Sequence, residues 1–506
     1  MKIAIIGGGI SGCTTYLSLK KHLPAACIHS ITIYEAYSTP HSPDPPSTTN
    51  SNDAENTTAT KTPIIGGGLG LAPNGLRVLS RLDPSQSLIQ DIVRSGYAIS
   101  TMSLKTKSGR VLADLDSNSD AGPIPEVFLS QSDSHEESHD GSIGMKMNMI
   151  ASSRHGLWGC LRDRVPDEDV VTKRVEDVIP RPDGLNIFQF EDGGEVEVDL
   201  VIGADGLRSV TRRGMFRTFT EDGEERYEYG PHYEGLIGVG GFTPLPASLK
   251  THLKPGTMSL LFSGNGFFGY FPSSSSSEHP TSTSPYTITP PGETLSWWST
   301  YAWPSPPPTP SDISLPTITA DLKSRHANWT DPIIQSILAT LTVENIYPTW
   351  TSPVLETWEK HGVILVGDAA HALPSTSAQG ASQGMEDGEA LGMFLVHSIT
   401  QGREEREDAE EIEEAEEDIL RTKRTITRAA KRYIEIRKPH VEVILNEAKR
   451  MQNNKRDVGW VGEMVMYAVL WIMGFFPSIL SRKSRSIINY NVADEAKKVM
   501  SKRQQS

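Results

Sequence analysis

Apolar residues are distributed along this chain in two textures. The first is short, nearly unbroken runs: Lys2 to Ile6, Ile31 to Tyr34, the stretch before Asp205, and Val363 to Val366. Each stops at glycine or an acid and is followed by small residues, which predicts buried strands running into turns. After the first run, Thr14, Leu17 and Leu19 fall at helical spacing, so a strand, a turn and a helix are expected in that order. The second texture is aromatic and β-branched, in runs such as "TMSLLF", "GFFGYFP" and "LSWWSTYAW". These predict a largely antiparallel sheet drawn from about residues 97 to 114 and 219 to 345. Phe267, Phe268, Tyr270, Trp297 and Trp298 are candidates to line an apolar pocket there, although aromatics in alternating strands serve a core equally well.

Other stretches have little to bury. Residues 37 to 63, "SNSDAGPIPEVFLSQSDSHEESHDGS" and "SSSSSEHPTSTSPYTITPPG" read as surface insertions. Residues 403 to 418 are a block of acids followed by the basic "RTKRTITRAAKRY", which reads as a solvated helical excursion in preference to a partner site. Near the C-terminus the chain carries no charge from Met464 to Ser481, with Glu463 before the run, Pro477 late within it and basic residues at 482, 483 and 485 after it. Three readings fit: a helix packed on the sheet, a helix lying in a membrane interface, and a single span. Trp471, Phe475 and Phe476 weigh toward membrane contact through residues 464 to 481.

The length of 506 residues suits two domains with extensions. A net charge of -15 argues against a nucleic-acid surface. Cys13, Cys27 and Cys160 are scattered and lack a C-x-x-C pair, so neither a disulfide framework nor a metal site is expected, and Cys13 reads as packing. The first apolar run stops at Gly7 and is already a strand, so no secretory signal is read. An intracellular protein is expected, cytoplasmic or membrane-associated.

The chemistry begins in the first turn. Gly7, Gly9 and Gly12 form G-x-G-x-x-G between strand and helix. The first permits a tight turn, the second lets backbone amides approach a pyrophosphate, and the third lets helix pack on strand. Glu35 ends the second strand at the spacing where an acid accepts hydrogen bonds from an adenosine ribose. This unit alone leaves NAD, NADP and FAD open. Two further strand-turn units follow in order, "VDLVIGADGLRSVTRR" with a D-G pair at Asp205, and "HGVILVGDAAHALPSTSAQGASQGMEDGEALGMFL" with a G-D pair at Asp368.

That ordered triplet resembles the class A flavoprotein monooxygenases, the salicylate and para-hydroxybenzoate hydroxylase-like family, as do "GGGLGLAPNGLRVL", "SRHGLWGCL" and "RYIEIRKPHVEVI". The resemblance implies that the turn holds FAD, with NADPH or NADH visiting as transient reductant. It implies an α/β, Rossmann-like FAD-binding domain, a β-rich substrate domain and a C-terminal helical region. It assigns Glu35 to the adenosine ribose, places Gly66 and Gly67 beside the cofactor, and puts Arg154 at the FAD phosphate or near the flavin. Asp205 belongs to a motif linked to FAD and the reduced nucleotide. Asp368 would bind the ribityl chain or phosphates, and Gly380 and Ala381 would offer amides to the flavin ring. His371 reads as structural.

The implied division runs 1–96, 146–218 and 346–400 for the FAD-binding domain. It assigns 97–145 to strands of the substrate domain and an insertion, 219–345 to the substrate domain, 401–458 to a charged helical region and 459–506 to the apolar terminal segment. Two departures stand out. Ser375, Ser377 and Ala378 occupy positions where the family often has proline and glycines, and "HYEGLIGVGGFTP" lacks the tyrosine and arginine of phenol-dearomatising members. No catalytic side chain is named. The expected activity is NAD(P)H- and O2-dependent hydroxylation of a small apolar organic substrate in specialised metabolism; epoxidation of an alkene is the alternative, and a non-catalytic flavin module the rival of another class.

Overall fold

The computed structural model describes residues 1–37, 68–120, 124–129, 146–276, 283–303, 305–306, 314–341, 343, 346–407, 415–453 and 458–502. Much of the expected insertions, together with Gly66 and Gly67, lies outside these residues.

The short apolar runs form one sheet. Its strand order is Val170–Thr172, Ser30–Glu35, Lys2–Ile6, Leu200–Gly203, Val363–Leu365, Glu359–Lys360. All neighbours are parallel except the last pair, and Ile5 lies between Ile33 and Ile202. Strands buried on both faces need no polar alternation, which is why these runs are continuous. Helix Ile10–His22 packs along helix Gly380–Glu407 at unusually close range. Cβ atoms added at Gly384 and Gly388 would collide with Ser11 and Thr15, and one at Gly392 with Ser18, so a period-four row of glycines admits the hydroxyl row.

The aromatic runs form a second, seven-stranded sheet in the order Ile346–Thr351, His232–Pro244, Thr294–Ala302, Gly266–Pro272, Thr257–Ser263, Thr101–Thr106, Val111–Asp116. It is antiparallel apart from the Thr257–Ser263 and Thr101–Thr106 pair. Two boundaries read from sequence shift here. Strand Ile346–Thr351 pairs with the substrate sheet although 346 was placed at the start of an FAD-binding segment, and helix Gly380–Glu407 runs unbroken through residue 400.

Alternation divides the five aromatic candidates between two faces. Phe268, Tyr270 and Trp297 share a buried cluster with Ile318, Leu322, Ile333 and Ile337 of helices Leu315–Arg325 and Pro332–Thr340, so these three are core residues and not pocket lining. Trp298 lies on the other face, between the rings of Phe267 and Phe271 at 5.8 and 5.9 Å.

After helix Ala415–Asn453 the chain crosses the substrate sheet and returns. Helix Gly459–Gly474 lies against the tip at Gly264 and the edge strand at Leu112, and helix Pro477–Ile488 leads to Val492–Lys502, which packs back on Gly380–Glu407. The apolar run is thus broken at Phe475 and Phe476. Among the described residues no helix is long and apolar enough to cross a membrane, which removes the single-span reading. The packed-helix reading also fails in its simple form. Glu463 and Tyr467 face inward, while Trp460, Val461, Val465, Trp471, Ile472, Phe475 and Phe476 are exposed.

Candidate cofactor and active site

The three turn motifs meet. Gly7 sits at φ +101°, where a Cβ would lie 2.5 Å from the Ala204 carbonyl oxygen just before Asp205. A Cβ at Gly12 would overlap the Gly7 carbonyl oxygen. Gly9 differs: a Cβ there would have nothing within 4 Å, so open space stands over the start of helix Ile10–His22, which has no side-chain cap. Uncapped first-turn amides and the helix dipole favour an anion at that spot, and the cradle fits a pyrophosphate.

Glu35 closes the turn from the side. Its Oε2 accepts the Gly8 amide at 2.7 Å and its Oε1 the Tyr37 amide at 3.1 Å. Trp158, which sequence reasoning missed, donates its indole N–H to the Gly8 carbonyl at 2.8 Å from helix Arg154–Arg162. The Cys13 thiol is buried, and that burial lifts its pKa to about 12, so it is an inert packing group.

The Asp205 carboxylate is engaged locally. It accepts Ser209 Oγ at 2.6 Å, the Thr211 amide at 2.9 Å and Thr211 Oγ1 at 3.0 Å, bracing the start of helix Val210–Phe216. Arg212, wholly buried and also missed, fastens this turn to the next one. It donates to the Leu207 carbonyl at 2.5 Å, the Ala369 carbonyl at 2.8 Å and the Tyr227 hydroxyl at 2.9 Å.

Asp368 is free by contrast. Among the described residues no hydrogen bond reaches its carboxylate, which opens to a cleft whose walls nonetheless surround it. Enclosure raises its pKa, and the charges of Arg154, His371 and Arg212 oppose that rise. Arg154 is exposed at the start of its own helix and acts on the same cleft. The carboxylate lies 3.9 Å from where Gly380 would carry a Cβ, so it faces the start of the helix that contains Gly380 and Ala381. An accessible acid, an arginine and a helix N-terminus suit a polyol carrying phosphates. His371 points away, its Nε2 2.5 Å from Asp387 Oδ2, as a structural histidine would. Ala378, one of the departures, adopts φ +49°, a conformation that favours glycine. No group of three His, Cys, Asp or Glu side chains is placed to hold a metal among the described residues.

The substrate sheet presents its aromatic face to the FAD-binding part. A Cβ at Gly269 would strike the Trp298 indole, which lies flat across the glycine. Phe271 and Ser296 face Gly68 of strand Gly68–Leu71.

Known proteins share this arrangement. The family described as FAD binding domain matches residues 320–418. The 3-amino-4-hydroxybenzoate 2-monooxygenase of Streptomyces cremeus is 26% identical over 328 residues, covering 64% of this chain and 67% of its own. Salicylate hydroxylase of Pseudomonas putida is 23% identical over 426 residues, covering 79% and 78%. The solved structure of Klebsiella pneumoniae HpxO complexed with FAD and uric acid has a TM-score of 0.63 at 18% identity over 96% of this chain and 97% of that one, a likeness of fold. Motif order, fold and relatives agree: the chain is similar to the class A FAD-dependent monooxygenases along most of its length, and it is an FAD-dependent oxidoreductase with NAD(P)H as reductant.

Proposed function

We propose that this monooxygenase hydroxylates an apolar, multi-ring or polyprenyl-like substrate of specialised metabolism. The observation that carries the reading is the floor made by Trp298 across Gly269, flanked by Phe267 and Phe271 and turned toward the FAD-binding part. FAD, when bound and reduced, would supply the activation of dioxygen; this chain binds, orients and dries the reactants. Glu35 and Asp368 would hold the hydroxyls of the two halves of the cofactor, the Gly9 turn and Arg154 its phosphates, and the Gly380 and Ala381 amides the edge of the flavin ring. The relatives named above are called after a hydroxybenzoate and salicylate. Here Gly240 and Gly241 lie near the place where phenol-dearomatising members of the family it resembles carry a tyrosine and an arginine, and "HYEGLIGVGGFTP" offers no arginine or lysine for a phenolate, so an uncharged substrate suits the face better.

Labelling with oxygen-18 tests the reaction. One labelled atom from dioxygen is expected in the product, as a hydroxyl; an epoxide would favour the alternative. Trp298→Ala should raise KM about tenfold with flavin content unchanged, because stacking on one aromatic contributes about 1 kcal/mol or more. Efficient turnover of salicylate would contradict the substrate class. NADPH oxidation that no candidate substrate stimulates would favour the non-catalytic module.

Membrane contact is a second reading, supported by the outward face of helix Gly459–Gly474. Its single acid, Glu463, is turned inward to Lys107, with Tyr467 beside it, and Trp460 is 74% and Phe475 64% exposed. Arg482 is exposed beyond the run. An apolar face with aromatics and a following cation suits a helix lying in a bilayer interface, from which apolar substrate enters directly. Wild-type protein should pellet with membranes through a high-salt wash. Serine at Trp460, Trp471, Phe475 and Phe476 together should release it with FAD retained. Wild-type protein found in the supernatant without detergent would end this reading.

A further inference from the structure

Beneath the flavin-facing loop lies a buried polar cluster in which no residue has been given a role beyond structure. Arg437, fully buried on helix Ala415–Asn453, donates to Glu386 Oε2 at 2.5 Å, Asp387 Oδ1 at 2.8 Å and Gln383 Oε1 at 2.6 Å. Its partners reach the loop at two points. Asp387 Oδ2 accepts the Gly367 amide at 2.9 Å, and Gly367 immediately precedes Asp368. Glu386 Oε1 accepts Asn74 Nδ2 at 2.8 Å; the same nitrogen donates to Gln379 Oε1 at 3.1 Å, and Gln379 immediately precedes Gly380. The cluster therefore grips the residue before each of the two expected flavin contacts.

Burial alone would raise both acids. At Asp387 the charges of His371 and Arg437 outweigh it and hold the carboxyl at about 2, whereas at Glu386 burial prevails and lifts it to about 7. The returning C-terminal segment roofs the cluster. The Tyr490 ring stacks on His440 at 3.7 Å and lies 5.6 Å from the Arg437 guanidinium, while Arg77 holds the Ile488 and Tyr490 carbonyls.

We propose that Arg437 is a positioning residue for the flavin: gripped by Glu386 and Asp387 and roofed by Tyr490, it sets the start of helix Gly380–Glu407 against the Gly367 turn. The C-terminal segment then works as part of the cofactor site and not only as packing. A guanidinium can serve three acceptors at once in one plane, which a lysine ammonium cannot reproduce here.

Glu386→Gln, Tyr490→Ala and Arg437→Lys in the full chain test this. Three quantities are read: the apoprotein melting temperature, the FAD Kd by flavin fluorescence, and the absorption spectrum and reduction potential of bound flavin. Glu386→Gln and Tyr490→Ala keep the Arg437–Asp387 pair, so folded apoprotein is expected. FAD Kd should rise about fivefold or more, with a shifted flavin spectrum or potential. Arg437→Lys should behave like these two and not like wild type; should it fail to fold, they decide alone. A lowered melting temperature with unchanged FAD Kd, spectrum and potential would overturn the proposal and leave the cluster purely structural.

Discussion

Alanine at Gly9 and alanine at Gly12 should both deprive the protein of its flavin, by different routes. At Gly12 the new methyl overlaps the Gly7 carbonyl oxygen, a backbone atom that cannot move without opening the turn. The expected cost is about 3 kcal/mol or more, seen as a lowered apoprotein melting temperature and no co-purifying FAD. At Gly9 the methyl meets no protein atom within 4 Å, and the backbone there is extended at φ -73°, which alanine adopts freely. Gly9→Ala apoprotein should therefore melt with wild type, while the methyl occupies the space intended for the pyrophosphate. Equal melting with a lost flavin identifies the ligand space directly. If Gly9→Ala binds FAD as wild type does, the pyrophosphate lies elsewhere.

Glu35→Ala and Asp368→Ala should each weaken FAD binding by about 1 to 3 kcal/mol, or roughly fivefold to more than a hundredfold in Kd. Their side effects should differ. Glu35 also accepts the Gly8 and Tyr37 amides, so its removal unpairs the turn and should lower apoprotein stability as well. The Asp368 carboxylate has no hydrogen bond among the described residues and stands in an enclosing cleft that raises its pKa. Without FAD its loss should be neutral or slightly stabilising. Titration calorimetry on the apoproteins, together with their melting curves, separates the two cases. An Asp368→Ala protein that is destabilised yet binds FAD normally would contradict the role given to that carboxylate.

What could be read from the chain, and what could not, follows from range. The strand, turn and helix around Gly7 are local, set by an apolar run, three glycines and an acid within the first 35 residues, and the same holds for the Asp205 and Asp368 turns. The contacts that fasten these turns together are not local. Arg212 joins carbonyls at Leu207 and Ala369, and Arg437 meets acids about fifty positions earlier, so each arginine is ordinary in its own window. Trp158 likewise reaches Gly8 across 150 residues. Alternation in "GFFGYFP" could predict two faces but not which one a helical layer would cover; Phe268 and Tyr270 went to the helix-covered core, and Trp298 lies half-buried on the other face, packed against Tyr97, Met149 and Phe271. For the uncharged C-terminal run, composition suggested membrane contact. Only the break at Phe475 and Phe476, and the inward turn of Glu463, excluded a span. The Ala378 departure was visible as a missing glycine, and its left-handed backbone shows why glycine would suit that position.

Binding of FAD by the turn at Gly7, completed by the Asp205 and Asp368 turns, underlies every role proposed above. Its most direct test is the absorption spectrum of the purified full-length protein, followed by chromatography of whatever denaturation releases. A yellow protein with flavin bands is expected, with intact FAD released in near-equal amount to protein. A folded, colourless protein that takes up no FAD but binds NAD tightly would contradict it.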